Sequence, residues 1–202
     1  MHKFTLFEQY ITLIMPTNIA IFASGTGSNA ENIIKYHANS SKFNFSLIIS
    51  NKSDAPIHER AKKLAIPSFT FTRDDFQGGE NILLLLKQHN IDFIVLAGFL
   101  LKIPQILTDA FPQKIINIHP ALLPKFGGKG MYGNHVHQAV IDAGENETGI
   151  TIHYVNSNYD EGNIIFQASC PVLSTDTVQI IAEKVQALEH EHFPKVIDII
   201  WG

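Results

Sequence analysis

The order of apolar runs predicts an α/β fold: a mostly parallel, twisted sheet of about seven strands with helices on both faces, a Rossmann-like N-terminal half and antiparallel C-terminal strands. Three observations predict it. Short, continuously apolar runs at 18–24, 45–50, 92–98 and 114–119 read as central strands covered on both sides. Segments of helical period lie between them, and this β-α-β-α rhythm is that of a parallel sheet. After residue 120 the rhythm breaks. Two runs of alternating character, 148–155 and 163–172, joined by the polar loop 156–162, read as further strands of hairpin type.

Taken in order, NIAIFAS (18–24) empties into the glycine loop SGTGSN (24–29), which opens a helix over 29–38. The second strand is FSLIIS (45–50). Pro56 suits an early helical position, where a missing amide costs nothing, for a helix ending near 65. A short strand at 67–71, a helix at 80–89, the strand DFIVLAG (92–98), a short helix at 104–111 and the strand KIINIH (114–119) complete the first half. A glycine-rich loop (126–134) then precedes a helix at 135–143, the two alternating strands, and an amphipathic helix over 177–201. No repeat, low-complexity tract or linker interrupts the chain, so residues 15–202 are expected to form one domain. Residues 1–14 are read as an extension with no part in the site, because MPTNIAIFASG from Met15 is a normal start for such a domain.

Composition removes several function classes. At 202 residues and 45% hydrophobic content, the chain can bury one substantial core. A net charge of −4, with Lys and Arg scattered, provides no basic field for nucleic acid or an anionic membrane. No run approaches the ~18–20 apolar residues of a membrane span. The single cysteine, Cys170, excludes an internal disulfide, fits a reducing cytoplasm and reads as a small core hydrophobe. Ten histidines raise the question of a metal, with His135, His137, His153 and the His190–His192 run as candidate ligands. His135 and His137 lie two apart on a helix, where neighbours on one face are three or four apart, and neither HExxH nor a cysteine pair is present. No metal is expected.

The chemistry concentrates in KIINIHPALLPK (114–125). Asn117 and His119 are two apart on a strand and leave the same face, and Pro120 ends the ladder. An amide and an imidazole thus stand at a strand's carboxyl end, where open α/β sheets bind ligands. The loop Gly25-Thr26-Gly27-Ser28-Asn29 follows a buried strand and starts a helix; small residues and unpaired amides there suit a phosphate, with Gly27, Ser28 and Asn29 donating. Read as G-x-G-x-x-A it is also a permissible dinucleotide fingerprint, but Ser50-Asn51-Lys52 replaces the acidic residue that would hold a ribose, and the GK[ST] of a Walker loop is missing. Asp160, in NYDEG, supplies a carboxylate. Beside His119 it would stabilise the imidazolium and raise its pKa, so that activity falls as pH climbs past the raised value. Amide, imidazole and carboxylate together make an acyl-transfer set without a nucleophilic Ser or Cys.

With these stretches in hand, the chain resembles the folate-dependent phosphoribosylglycinamide formyltransferases of the formyltransferase superfamily. The matching segments are SGTGSN, SNK-D (50–54), DFIVLAGF (92–99), INIHPALLPK (116–125), TGITIHYV (148–155), D-EG (160–162) and EH-FP (189–194). The resemblance implies Asn117, His119 and Asp160 as the catalytic residues. It implies Gly25 to Asn29 at the substrate phosphate, Glu189 at the glycinamide end, and Leu100, Leu101, Lys102, Ile103, Asn117, Tyr159 and Asp160 at the folate, with loop 156–162 over the pteridine. It also implies a cis Leu123-Pro124 bond. The implied reaction passes the formyl group of 10-formyltetrahydrofolate, a co-substrate, to the amine of glycinamide ribonucleotide in de novo purine biosynthesis, by direct amine attack. The implied protein is cytoplasmic, a monomer or homodimer, with no nucleic-acid or membrane partner and no metal. Two arginines often found in relatives are missing, one after LAGF, where the chain reads Leu-Leu-Lys-Ile, and one in FQGGEN (76–81). The rival readings are a formyltetrahydrofolate hydrolase, which usually carries a further N-terminal domain, and a non-catalytic phospho-ligand-binding module of Rossmann-like fold.

Overall fold

The computed structural model describes residues 15–202; the extension expected at 1–14 lies outside the described residues. The strands are β1 (Thr17–Phe22), β2 (Phe43–Ser50), β3 (Ser68–Thr70), β4 (Phe93–Leu96), β5 (Ile115–His119), β6 (Glu147–Tyr154) and β7 (Ile164–Pro171). They form one sheet in the order β3-β2-β1-β4-β5-β6-β7. Pairing is parallel from β3 through β5, and antiparallel between β5 and β6 and between β6 and β7. The helices are α1 (Ser28–Tyr36), α2 (Ile57–Lys63), α3 (Arg73–Gly78), α4 (Glu80–Gln88), α5 (Gln105–Ala110), α6 (Asn134–Asp142) and α7 (Val178–Trp201). The expected α/β architecture, with its antiparallel C-terminal strands, is therefore what the chain adopts.

One element was not expected. Residues 73–78 form a helix because Thr72 caps it: the Thr72 hydroxyl accepts from the Asp75 amide while the Asp75 carboxylate accepts from the Thr72 amide. This reciprocal cap satisfies two otherwise orphaned donors, and T-x-x-D is its sequence signature. The segment is one and a half turns long, too short for a visible hydrophobic period.

The alternation within each strand divides the interior into two cores. Ile19, Ile21 and Ala23 face α1, α2 and α7, among Ala30, Ile33, Ile57, Ala61, Val185 and Phe193. Ala20 and Phe22 face α3, α4 and α5, among Phe76, Ile82, Leu86 and Leu107. Because β1 is flanked by β2 on one side and β4 on the other, chain direction across the sheet reverses between β1 and β4. A crevice opens at the carboxyl ends of strands at such a switch point. Here the Ser24 amide donates to the Gly98 carbonyl (3.1 Å), and the Leu100 amide donates to the Ser24 hydroxyl (2.9 Å), which ties the two strand ends together.

α7 crosses behind the crevice and carries Pro194 in its interior. A proline leaves the carbonyl four residues earlier without its helical donor. That carbonyl belongs to His190, and the Asn32 side-chain amide of α1 donates to it at 2.8 Å. The substitution Asn32→Ala is expected to orphan the carbonyl and destabilise the fold by about 1–3 kcal/mol, read as a lower midpoint in chemical denaturation.

Candidate active site

Asn117 and His119 stand on one face of β5, opposite His153 and Thr151 of β6. Two apart on a strand means the same face; which residues they meet there is set by register alone. A register shift in the β6–β7 pairing falls between Ile152 and His153, and such a bulge re-aims the side chains beside it. His153 Nδ1 donates to its neighbour's carbonyl, Tyr154 O, at 2.8 Å. Its Nε2 is therefore the acceptor, and it takes a hydrogen bond from the Asn117 side-chain amide at 3.1 Å. This bond orients the Asn117 amide and leaves its second N–H available.

His119 is 3% exposed. Its Nε2 donates to the Phe126 carbonyl at 2.7 Å, and its Nδ1 lies 3.5 Å from Asp160 Oδ2. The turn after β5 is held by Thr151, whose hydroxyl donates to Ala121 O (2.7 Å) and accepts from the Leu123 amide (2.9 Å) and from Gln167 (2.8 Å). The Leu123-Pro124 bond in that turn is cis.

Asp160 comes from the loop between β6 and β7. β7 itself is not beside β5, so among these two strands β6 alone pairs with the strand of His119. Asp160 has left-handed backbone (φ 55°) and its carboxylate accepts from the Gly128 amide at 2.8 Å, with Oδ1 3.6 Å from His153 Nε2. Burial pushes this carboxyl upward, but His153, His119 and the Gly128 amide together outweigh burial and hold it below the usual carboxylate range. Gly127 sits between the two loops: a Cβ there would lie 2.5 Å from the Leu123 side chain and 3.3 Å from Asp160 Cβ.

The expected raising of the His119 pKa is not what the environment produces. Burial, the largest influence, lowers it; Asp160 and the Phe126 carbonyl raise it by less, and His153 lowers it further. The resting imidazole is thus biased to the neutral form. A carboxylate neighbour was legible in the sequence, whereas the degree of burial that overrides it was not.

Asn117, His119, Gly128 and Asp160 line a cleft of about 770 Å³. At its other end are Thr26 and Asn29 of the glycine loop, with Glu189 of α7. Gly27 has φ 73°, and a Cβ there would fall 2.1 Å from Ile57 Cδ1, so glycine is required both for the turn and for the packing. Gly25 and Thr26 are exposed, Gly27 and Asn29 buried, and Ser28 half-buried, its hydroxyl accepting from Gln186 at 3.3 Å. Among the described residues, no acceptor meets the amides of Thr26, Gly27, Ser28 and Asn29. Asn29 donates its side-chain amide to Glu189 Oε2 at 2.8 Å, while its own carbonyl oxygen is buried without a partner. Burial pushes the Glu189 carboxyl up, and the Asn29 bond offsets part of that.

Leu100 faces the main cleft, and Leu101, Lys102 and Ile103 line a narrow crevice beyond Asn117, with Tyr159 and Asp160 on its far wall. Ile103 is 3% exposed and mostly committed to the core beneath α3–α5. The crevice continues into a hollow of about 500 Å³ lined by Arg73, Lys102, Lys129 and Tyr159. Among the described residues none of the three cations is in an ion pair. FQGGEN supplies no arginine, as expected, but Arg73, from the unexpected helix α3, takes a place on this wall. Thr151, Arg73 and Lys129 are residues of the candidate site that sequence reasoning missed, and His153 enters it beside Asn117 although the sequence offered it only as a candidate metal ligand. His153 and Thr151 share the alternating phase of TGITIHYV, a signal without a register to interpret it. The expected divergence of the HVH pair is seen: His135 is exposed and His137 is buried.

Fold and site together define the formyl transferase class of α/β proteins, and the signature of that family, Formyl transferase, matches residues 17–197. A phosphoribosylglycinamide formyltransferase of Bacillus subtilis is 36% identical over 188 residues, covering 91% of this chain and 94% of the relative. A chloroplastic one of Arabidopsis thaliana is 39% identical over 188 residues, covering 90% of this chain; the chain spans 64% of that relative's length. The crystal structure of glycinamide ribonucleotide transformylase 1 from Geobacillus kaustophilus superposes with a TM-score of 0.85 at 33% identity, over 93% of this chain and 100% of that one. The chain belongs to the phosphoribosylglycinamide formyltransferase family.

The buried imidazoles make stability depend on pH. Burial lowers the pKa values of His37, His119, His137 and His190 below 6.5. Their contribution is complete above the unfolded value and is lost as pH falls through the lowered folded values. Glu189 acts in the opposite sense, contributing below 4.5 and losing that contribution as pH rises through its raised folded value. Thermal melts are expected to show a lower midpoint at pH 5 than at pH 7.5; an unchanged or higher midpoint at pH 5 contradicts this reading of the histidines.

Proposed function

We propose that this chain transfers the formyl group of 10-formyltetrahydrofolate to the amine of glycinamide ribonucleotide, within one domain of residues 15–202. The observation that carries the reading is the convergence of Asn117, His119 and Asp160 in one cleft whose far end is lined by Thr26 and Asn29 of the glycine loop, a loop whose amides from Thr26 to Asn29 meet no acceptor among the described residues. The ribonucleotide phosphate takes those amides, to which the start of α1 adds its positive end. Glu189 and the free carbonyl of Asn29 face the glycinamide. The pterin ring enters the crevice between Leu101 and Tyr159, and the anionic tail of the folate leads out toward Arg73, Lys102 and Lys129. At about 50 Å³ the crevice has room for one or two waters, so entry of the ring requires loop 156–162 to swing outward.

In the reaction the amine attacks the formyl carbon and a tetrahedral intermediate forms. The second N–H of Asn117 stabilises its oxyanion. The amine's proton passes to the Asp160 carboxylate or, through it, to neutral His119, whose imidazolium Asp160 then stabilises. The C–N10 bond breaks, N10 takes that proton, and no covalent bond to the protein forms. A cytoplasmic location accompanies the reading, supported by the single free thiol, Cys170.

Asn117→Ala and His119→Ala are expected to lower kcat on the order of 10²–10³-fold while ribonucleotide binding, followed by thermal shift, survives. Asp160→Asn tests the carboxylate without disturbing its left-handed backbone, which Asn tolerates; it should lower kcat as severely. Full activity of the His119 variant would refute the mechanism.

The pH profile follows from neutral His119. The kcat/KM is expected to be level above pH 6.5 and to decline on acidification as the imidazole is protonated beforehand. A decline on the alkaline side of neutrality would instead indicate a charged imidazole. Formate release measured with and without glycinamide ribonucleotide separates transfer from hydrolysis: transfer predicts ribonucleotide-dependent loss of the formyl group with no free formate.

A further inference from the structure

The outer side of the glycine loop is held by α2. The Ile57 amide donates to the Gly25 carbonyl at 3.2 Å, and Arg60 Nε donates to the Thr26 carbonyl at 2.7 Å. Both contacts are made from outside the cleft. The peptide bonds that carry these carbonyls are trans, since Leu123-Pro124 is the cis bond among the described residues. In a planar trans peptide, the C=O of one residue and the N–H of the next point in opposite directions. Holding the Gly25 carbonyl outward therefore turns the Thr26 amide inward, and holding the Thr26 carbonyl outward turns the Gly27 amide inward. These are two of the four amides for which no acceptor is found.

The charge of Arg60 is not left free at the loop. Its guanidinium pairs with Glu31 in the first turn of α1, and Glu31 also pairs with Lys35 at 2.6 Å. Left alone, Glu31 would place a negative charge in the turn of α1 where an anion is to bind, so the pairing also silences an unfavourable neighbour. Ile57 completes the brace by filling the space that a Cβ on Gly27 would need.

We propose that Arg60 is a positioning residue for the ribonucleotide phosphate: it orients the Gly27 amide by holding the Thr26 carbonyl, and it does not touch the substrate. This rests on the reading above, in which the phosphate sits on the loop of residues 25–29. The reach of the side chain makes the idea testable. In Gln, Nε2 occupies the fourth side-chain position, as Nε does in Arg. In Lys that position is a methylene, and the charge lies one atom further out.

The experiment is steady-state kinetics with each substrate varied in turn, on Arg60→Met, Arg60→Gln and Arg60→Lys, together with thermal-shift titration by ribose 5-phosphate. Arg60→Met and Arg60→Lys should raise the KM for the ribonucleotide about tenfold, the loss of one well-placed hydrogen bond. The kcat and the folate KM should stay within about twofold of the parent, and ribose 5-phosphate affinity should fall in step with the ribonucleotide KM. Arg60→Gln should recover most of the loss. Recovery by Lys and not by Gln would overturn the proposal in favour of direct charge contact with the phosphate, and an unchanged KM in Arg60→Met would overturn it outright. If Arg60→Met fails to fold, the Gln and Lys variants alone decide. Failure of the parent protein to turn over glycinamide ribonucleotide would refute the underlying functional reading, whereas normal turnover with an Arg60-independent KM refutes this proposal alone.

Discussion

Asp160 brings one carboxylate into contact range of two imidazoles and a main-chain amide at once, and the rest of the site is arranged around that charge. A buried carboxylate is costly unless its partners compensate it. Here the partners come from three separate segments: His119 at the end of β5, His153 on β6, and Gly128 in the loop after the cis-proline turn. Each must be in place for the charge to be tolerated, so the carboxylate fixes where the two flanking loops can lie. The left-handed backbone of Asp160 and the crowding at Gly127 are local consequences of bringing those loops together.

The same arrangement sets the character of His119. Its two ring nitrogens face a carbonyl and a carboxylate, a pattern that invites a second proton, while burial resists it. The outcome is an imidazole biased to the neutral form with a carboxylate counter-ion beside it. Neutral at rest and stabilised when protonated is the balance a proton acceptor needs near neutral pH. His153 enters this balance indirectly. By accepting from Asn117 it orients the amide, and only when protonated would its Nε2 turn to Asp160 and help keep that carboxyl ionised.

The sheet topology explains why the glycine loop and the His119–Asp160 pair share one cleft. The switch point between β1 and β4 puts the glycine loop and the LAGF segment side by side, and β5, next in the sheet, delivers Asn117 and His119 to the same edge. α7 closes the back with Glu189, a residue 160 positions from the Asn29 to which it bonds. Its own irregularity, Pro194, is accommodated by Asn32 from the helix that starts at the glycine loop, so that loop's helix and the wall behind the cleft are fastened to each other. The cations Arg73, Lys102 and Lys129 reach the outer hollow from three different segments, which keeps that wall positive although the chain as a whole is negative.

The sequence by itself determined the elements and the chemistry available at their ends. Apolar period decides strand or helix locally; glycine after a buried strand decides a turn with free amides; proline after His119 decides where β5 stops. Those are interactions between near neighbours, and they left their mark at 24–29 and 114–120. What local pattern could not supply was the company each residue keeps. That His153 lies opposite Asn117 is a matter of register across β5 and β6. That Arg73 meets Lys102 and Lys129 at one hollow depends on how three distant segments pack, although the cap that forms its helix is local. That His119 is neutral depends on how much protein surrounds it, a sum over the whole fold. Tertiary structure alone decided these, because burial and strand register are properties of many distant residues acting together.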